Sequence, residues 1–233
     1  MLRSVCFISR LKKMMGVMMI VVVTAIVLYC NSASVVTSDS EKKMIVLIDP
    51  GHGGGDPGKV GVNGLKEKDI NLDIALELQE MLTESGIKAY LTREEDVDLA
   101  DESAGNRKVS DLKNRVLMAA DKKADILVSI HQNSFSSDKV KGCQTFYYSH
   151  SEMGKILAEN ILECVKIQTD KENSRIAKPN DSYYILLHSS CPAVIVECGF
   201  LSNHQEASKL SEKEYRKKVA KGIAEGIGKY RSG

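Results

Sequence analysis

Several features are missing from this 233-residue chain, and each absence removes a class of explanation. None of its six cysteines stands in C-x-x-C spacing, which argues against a zinc site built from thiolates. Cys6 and Cys30 fall in an N-terminal apolar stretch, leaving Cys143, Cys164, Cys191 and Cys198 for the folded part. A domain of this size does not need disulfides, even outside the cytosol. Cys143 and Cys198 sit in apolar, strand-like runs, so buried free thiols are expected. There is no basic stripe either. The formal net charge is +1, but residues 1–34 hold four basic residues and no acidic one. The remainder carries 28 basic and 31 acidic residues, a net charge of −3, and nucleic acid is excluded as a partner. Internal repeats and low-complexity tracts are also absent. The hydrophobic and charged contents, 43% and 27%, are ordinary for one folded domain.

The N-terminus reads as a targeting segment. Arg3, Arg10, Lys12 and Lys13 precede an uncharged run from Met14 to Cys30. That run is slightly long for a signal-peptide core and slightly short for a comfortable span. Positive charge ahead of it orients the rest of the chain outward. Ser32-Ala33-Ser34 offers small residues for cleavage, so a cleaved signal and a retained anchor both remain open over residues 1–34. Residues 35–43 read as a linker, and residues 44–231 as one domain.

Within that domain, strand patterns alternate with helix patterns. Met44 to Asp49 is a buried strand that ends on Asp49-Pro50-Gly51-His52-Gly53-Gly54-Gly55-Asp56-Pro57-Gly58, a proline and a nest of glycines around one histidine. Asn71 to Ser85 has helical periodicity and stops at Gly86. Ile87 to Thr92 is a second strand, Asp96 to Lys108 a loop, and Leu112, Val116 and Ala119 mark a second helix. Asp125 to Ile130 is a strand ending on His131, and Gly142 to Tyr148 is another. A helix from Ser151 to about Gln168 presents Ile156, Ile161 and Val165. Pro192 to Val196 is a late strand ending on Glu197. Ser211-Glu212-Lys213-Glu214 reads as a capping box opening a last helix, with Tyr215, Val219, Ile223, Ile227 and Tyr230 on one face. The alternation predicts an α/β fold around a mainly parallel sheet flanked by helices.

Three strands thus end on His52, His131 and Glu197, and Glu67 lies just ahead of the first helix. In a parallel sheet the carboxyl ends of the strands share one edge, where these side chains can converge. Two imidazoles and a carboxylate suit zinc with one position left for water, and a further carboxylate would handle protons. A histidine after a strand is also a common turn residue, so an incidental His52 stays open at this point. Glu197 is harder to explain blandly, because an unpaired carboxylate beside a buried strand is costly. His150, His188 and His204 lie away from strand ends and read as surface or supporting residues.

Four ordered motifs carry a resemblance. Asp49-Pro50-Gly51-His52-Gly53-Gly54, Glu67-Lys68-Asp69, Ser129-Ile130-His131-Gln132-Asn133 and Val196-Glu197-Cys198-Gly199-Phe200-Leu201-Ser202-Asn203, with Leu91-Thr92-Arg93, resemble the zinc-dependent N-acetylmuramoyl-L-alanine amidases of the amidase-3 type. The resemblance spans roughly Met44 to Tyr230. It implies that His52, Glu67 and His131 bind one Zn²⁺ and that Glu197 is the general base and acid. The implied substrate is peptidoglycan, cut between the lactyl group of N-acetylmuramic acid and L-alanine. A single exported domain and Gly142-Cys143-Gln144-Thr145-Phe146-Tyr147-Tyr148 narrow the likeness to the sporulation amidases of spore-forming bacteria. That implies action on spore cortex around the forespore, as the first step toward muramic-δ-lactam with a partner deacetylase.

Departures from the family pattern carry expectations of their own. Gln132 stands where the family often has alanine, which implies a more polar rim. There is no room between Tyr148 and Ser151 for the blocking helix some relatives insert, so the site is open or governed by a separate protein. The glycines after Asp49 are expected to leave space for a glycan strand. Another zinc hydrolase of the wall, such as a deacetylase, and a non-catalytic wall-binding domain are the competing readings. A nucleophilic Cys198 is disfavoured, since alternation turns it away from the face Glu197 uses.

Overall fold

The computed structural model describes residues 13–26 and 43–233. The chain divides into two units, residues 1–42 and 43–233. In the first, residues 13–26 form a helix, α1. Among the described residues no helix is long and apolar enough to cross a membrane. Arg3, Arg10 and Lys12 and the small residues Ser32 to Ser34, on which the targeting expectation also rests, lie outside the described residues.

The second unit runs β1 (Ile45–Pro50), α2 (Glu67–Glu84), β2 (Lys88–Leu91), α3 (Arg107–Asp121), β3 (Ile126–Asn133), β4 (Gln144–Tyr147), α4 (Glu152–Thr169), β5 (Lys178–Pro179), α5 (Tyr184–His188), β6 (Ala193–Phe200), α6 (His204–Ser211) and α7 (Lys213–Ser232). The strands form one sheet in the order β2-β1-β3-β6-β4-β5. All neighbouring pairs are parallel except β4 with β6. Helices cover both faces, which is why β1, β3 and β6 read as nearly unbroken apolar runs. On one face Val46, Ile48, Val128, Ile130, Val194 and Val196 pack with α2, α4 and α7. On the other Leu47, Leu127 and Ile195 pack with α3 and α5.

The expected elements are present, with four differences. First, α2 begins at Glu67 itself, not at Asn71. Lys66 offers no side-chain cap; the first amides are met by the loop before it, Glu67 N–H donating to Lys59 O and Lys68 N–H to Pro57 O. Second, β3 and β6 run past His131 and Glu197, so both residues lie within strands. Third, Ser211 opens no capping box. It ends α6, its hydroxyl donating to Ser208 O, and α7 starts without a side-chain cap. Fourth, Ile156 is 43% exposed, and Leu157, Ala158, Ile161 and Val165 form the buried face of α4. The cysteines from Cys143 onward are free, and Cys143, Cys164 and Cys198 are buried.

Candidate metal centre

The glycine loop is shaped by its own chain. Beyond Pro50, His52 takes φ 63°, Gly53 138°, Gly54 53° and Gly58 64°. A positive φ is costly at a histidine and persists only where neighbours enforce it. Two buried arginines supply that enforcement. Arg115 Nη1 donates to Pro50 O and Nη2 to His52 O, while Arg93 Nε donates to Pro50 O and Nη2 to Gly51 O. Arg115 is itself anchored by Asp49, at 2.7 Å. Burial alone would raise the Asp49 carboxyl, but the Arg115 charge and the Ser129 and Thr92 hydroxyls hold it below its ordinary range. At Gly51, Gly53 and Gly58 the chain itself takes the space a side chain would need, whereas Gly55 is open. A Cβ on Gly51 would lie 2.2 Å from the His131 ring, one on Gly53 2.1 Å from Val97 O, and one on Gly58 2.6 Å from Glu67 Oε2.

His52, Glu67 and His131 converge where this loop, the start of α2 and β3 meet. Their donor atoms lie within 4.8 Å of one another, a grouping able to hold a metal ion. Glu67 Oε1 is 3.2 Å from His52 Nε2 and 3.0 Å from His131 Nδ1. Both Glu67 oxygens are held by backbone, Oε1 accepting from Gln132 N–H and Oε2 from Lys59 N–H. Burial pushes this carboxyl up, yet hydrogen bonds with His131 and His52 outweigh it and hold it far below the ordinary range. On the far side of the His52 ring, Nδ1 lies 2.9 Å from Asp56 Oδ2. Asp56 thereby fixes the ring so that Nε2 faces Glu67, a common device at metal-binding histidines.

Glu197 is the register partner of His131 across β3 and β6. It is 9% exposed, and its Oε2 has no hydrogen-bond partner among the described residues. Burial pushes its carboxyl up to about 7, the charge of Glu67 also raising it and His131 lowering it. Alternation along β6 puts Cys198 on the opposite face among apolar residues, and burial raises its thiol well above its ordinary value. The four residues line a cleft of about 640 Å³ with Tyr183 and Ile185.

The sequence-predicted residues are therefore brought together as a set, while His150, His188 and His204 are exposed and outside it. Arg115 and Asp56 escape a reading of the sequence alone. Nothing local marks Arg115 among the charges of an amphipathic helix, although Asp56, four residues past His52, could have been suspected. Gln132 is 3% exposed, lines the cleft and donates from its side-chain amide to Asn71 Oδ1. Among the described residues no helix lies between β4 and α4 to block the cleft.

Comparison with known proteins agrees with this fold. The family model for N-acetylmuramoyl-L-alanine amidases of the amidase-3 type matches residues 46–229. The germination-specific N-acetylmuramoyl-L-alanine amidase of Bacillus subtilis is 38% identical over 190 residues, 80% of this chain and 79% of that protein. The CwlD amidase of Clostridioides difficile, solved in complex with the GerS lipoprotein, superposes with a TM-score of 0.79 at 40% identity. That match covers 82% of this chain and 99% of that one. The catalytic domain of the CwlV amidase from Bacillus (Paenibacillus) polymyxa matches at TM-score 0.71 and 32% identity, covering 81% and 98%. With a family model matched over nearly the whole second unit and relatives of this identity and coverage, the chain belongs to the amidase-3 family of N-acetylmuramoyl-L-alanine amidases.

Proposed function

We propose that this amidase holds one Zn²⁺ on His52, Glu67 and His131 and uses Glu197 to move protons while cutting stem peptides from peptidoglycan. The observation that carries the reading is Glu197, a buried carboxyl with a partnerless oxygen set across from His131 in the cleft. Two imidazole nitrogens and one carboxylate oxygen form a donor set suited to zinc, with a position left for solvent. When bound, the ion supplies Lewis-acid polarisation of the scissile carbonyl and lowers the pKa of water.

The chain's own groups then divide the work. Asp56 accepts the Nδ1 proton of His52 and leaves the Nε2 lone pair pointing inward. Glu67 stays ionised beside His131 and His52, and two backbone amides hold its oxygens in place. Glu197 is poised near neutral pH, where a carboxyl can both take the proton of the attacking water and return it to the departing L-alanine amine.

The cellular role follows the relatives. A germination-specific relative and the likeness to the CwlD amidase support a role in germination; action on spore cortex, at the step before muramic-δ-lactam and with a partner deacetylase, is what the resemblance implies. The lipoprotein in the CwlD complex supports a separate regulatory protein here too. Residues 1–34 serve for export, as a signal or an anchor, residues 35–43 as a linker, and residues 44–231 as the catalytic domain outside the cytoplasm. Digestion of purified peptidoglycan, followed by mass spectrometry, tests the reaction. Free stem peptides that disappear with chelator and with Glu197→Ala are expected; released acetate would mark a deacetylase, and an active Glu197→Ala would remove Glu197 from the chemistry.

A further inference from the structure

Packing alone would not choose asparagine at position 71. The buried residues of α2 include Ile70, Ile74, Ala75 and Leu78, and Asn71 is 0% exposed beside them. A buried amide in a helix interior costs both helix propensity and hydration, so it persists only where its hydrogen bonds are made. Asn71 makes two. Its Nδ2 donates to Gly51 O at 3.1 Å, and its Oδ1 accepts from Gln132 Nε2 at 3.1 Å. The direction of this chain is set at its Gly51 end, because a carbonyl can only accept. Asparagine can donate and accept at once, whereas an aspartate would only accept and a leucine would do neither. Gln132 is also held at a cost, for its Oε1 is buried with no partner among the described residues.

We propose that Asn71 is a positioning residue for the metal centre, tying together the three segments that carry His52, Glu67 and His131. The inference rests on the metal-centre reading and deepens it. Each end of the tie stands next to a ligand. Gly51 immediately precedes His52, Gln132 immediately follows His131, and Asn71 lies one turn of α2 beyond Glu67. The backbone closes the same circuit, Gln132 N–H donating to Glu67 Oε1 and Gly51 N–H to Ile130 O. Arg93 donates to Gly51 O and to Lys68 O, which links the loop to α2, and Asn71 with Gln132 adds the link to β3. Gly51 also packs so closely on the His131 ring that a Cβ there would lie 2.2 Å from it. A shift of Gly51 therefore displaces His52 along the chain and loosens the His131 ring at the same moment. Held in this way, the three donor groups stand within 4.8 Å of one another without an ion to gather them, and a preassembled site binds more tightly than one that must be ordered on binding.

Zinc dissociation constants of the full-length chain, measured by chelator competition, test this alongside the Tm of the metal-free chain. Gln132→Leu removes the donor to Asn71 and the partnerless Oε1 together, while leaving Asn71 Oδ1 without its donor. One unpaired oxygen replaces another, so the metal-free Tm should stay close to that of the wild type. Zinc should nonetheless bind about 10-fold more weakly, and the cobalt-loaded variant should show visible bands of altered position and intensity. Asn71→Leu breaks both hydrogen bonds and is expected to weaken zinc by up to about 100-fold. The double variant should match Asn71→Leu alone, because both substitutions break one chain. Wild-type zinc affinity and cobalt bands in Gln132→Leu, whatever its Tm, overturn the inference and leave both amides as scaffold. Zinc losses that add in the double variant overturn it as well. A wild-type chain that holds no zinc overturns the metal-centre reading and the inference with it.

Discussion

His52 is both a proposed ligand and a strained residue, and the two facts are linked. Its left-handed backbone turns the ring back toward Glu67, and Arg115 and Arg93 hold the surrounding carbonyls so that the turn survives. Asp56 then sets the ring's tautomer. Asp56→Asn should therefore lower zinc affinity about 10- to 100-fold, measured by competition with a chromophoric chelator, while the fold stays intact. Glu197 invites the opposite kind of prediction, since it contributes chemistry at the expense of stability. Glu197→Gln should cut kcat by about 10²–10⁴ with zinc content unchanged. In the zinc-free protein its raised pKa also has a sign for stability. The protonated carboxyl is tolerated below the unfolded value near 4.5, and stability falls as pH rises through about 7, where the buried group must ionise. Urea titrations at pH 5 and pH 8 should show that loss in the wild type and its absence in Glu197→Gln. His52, His131 and Glu197 were legible because each follows an apolar run, the pattern that puts a side chain at a sheet edge. Glu67 was legible as a carboxylate near the first helix but not as that helix's first residue, for the helix start is made by carbonyls of the loop before it.

At the scale of elements, helix packing explains glycines that local propensity would disfavour. α7 crosses α4 so closely that a Cβ on Gly226 would stand 2.5 Å from Ile161 Cα, and one on Gly222 2.6 Å from Val165 Cα. Gly228, two residues later on α7, meets nothing. Gly226→Ala should destabilise by about 1–3 kcal/mol through overpacking. Gly228→Ala should instead stabilise by about 0.5–1 kcal/mol, because only the chain-entropy term remains. Thermal denaturation of the two variants distinguishes packing from propensity. The elements missed in the sequence share a physical trait. β5 is two residues long, α5 spans five, and α6 abuts α7, so none has enough periodicity to stand out. α6 did carry a signal in Asn203, whose side chain accepts from Glu206 N–H. The Ser211 pattern was a false one, since a capping box needs free amides ahead of it, and there α6 already occupies the chain.

For the molecule as a whole, stability and site are joined through one buried ion pair. Asp49 and Arg115 are 0% and 1% exposed and tie β1 to α3 while fixing the loop that bears His52. Asp49→Asn should cost about 3–5 kcal/mol in urea unfolding, because it leaves a buried guanidinium with only Asp111 for company. Asp49 has a lowered folded pKa, so its contribution is complete above the unfolded carboxylate value of about 3.9 and drains away as pH falls below it. The wild type should therefore lose stability more steeply than Asp49→Asn as pH falls below 4. By itself, the sequence determined the class of fold, the order of the longer strands and helices along the chain, and the residue types that could meet at the carboxyl edge. Those follow from local periodicity and from motifs short enough to be contiguous. Only the tertiary structure decided the strand order with its antiparallel β4, the left-handed turn at His52 and the Arg115 anchor beneath it. It also decided that Gly51 and Gly58 make room for His131 and Glu67. Each of these depends on groups far apart in the chain pressing on one another, and no local pattern records that.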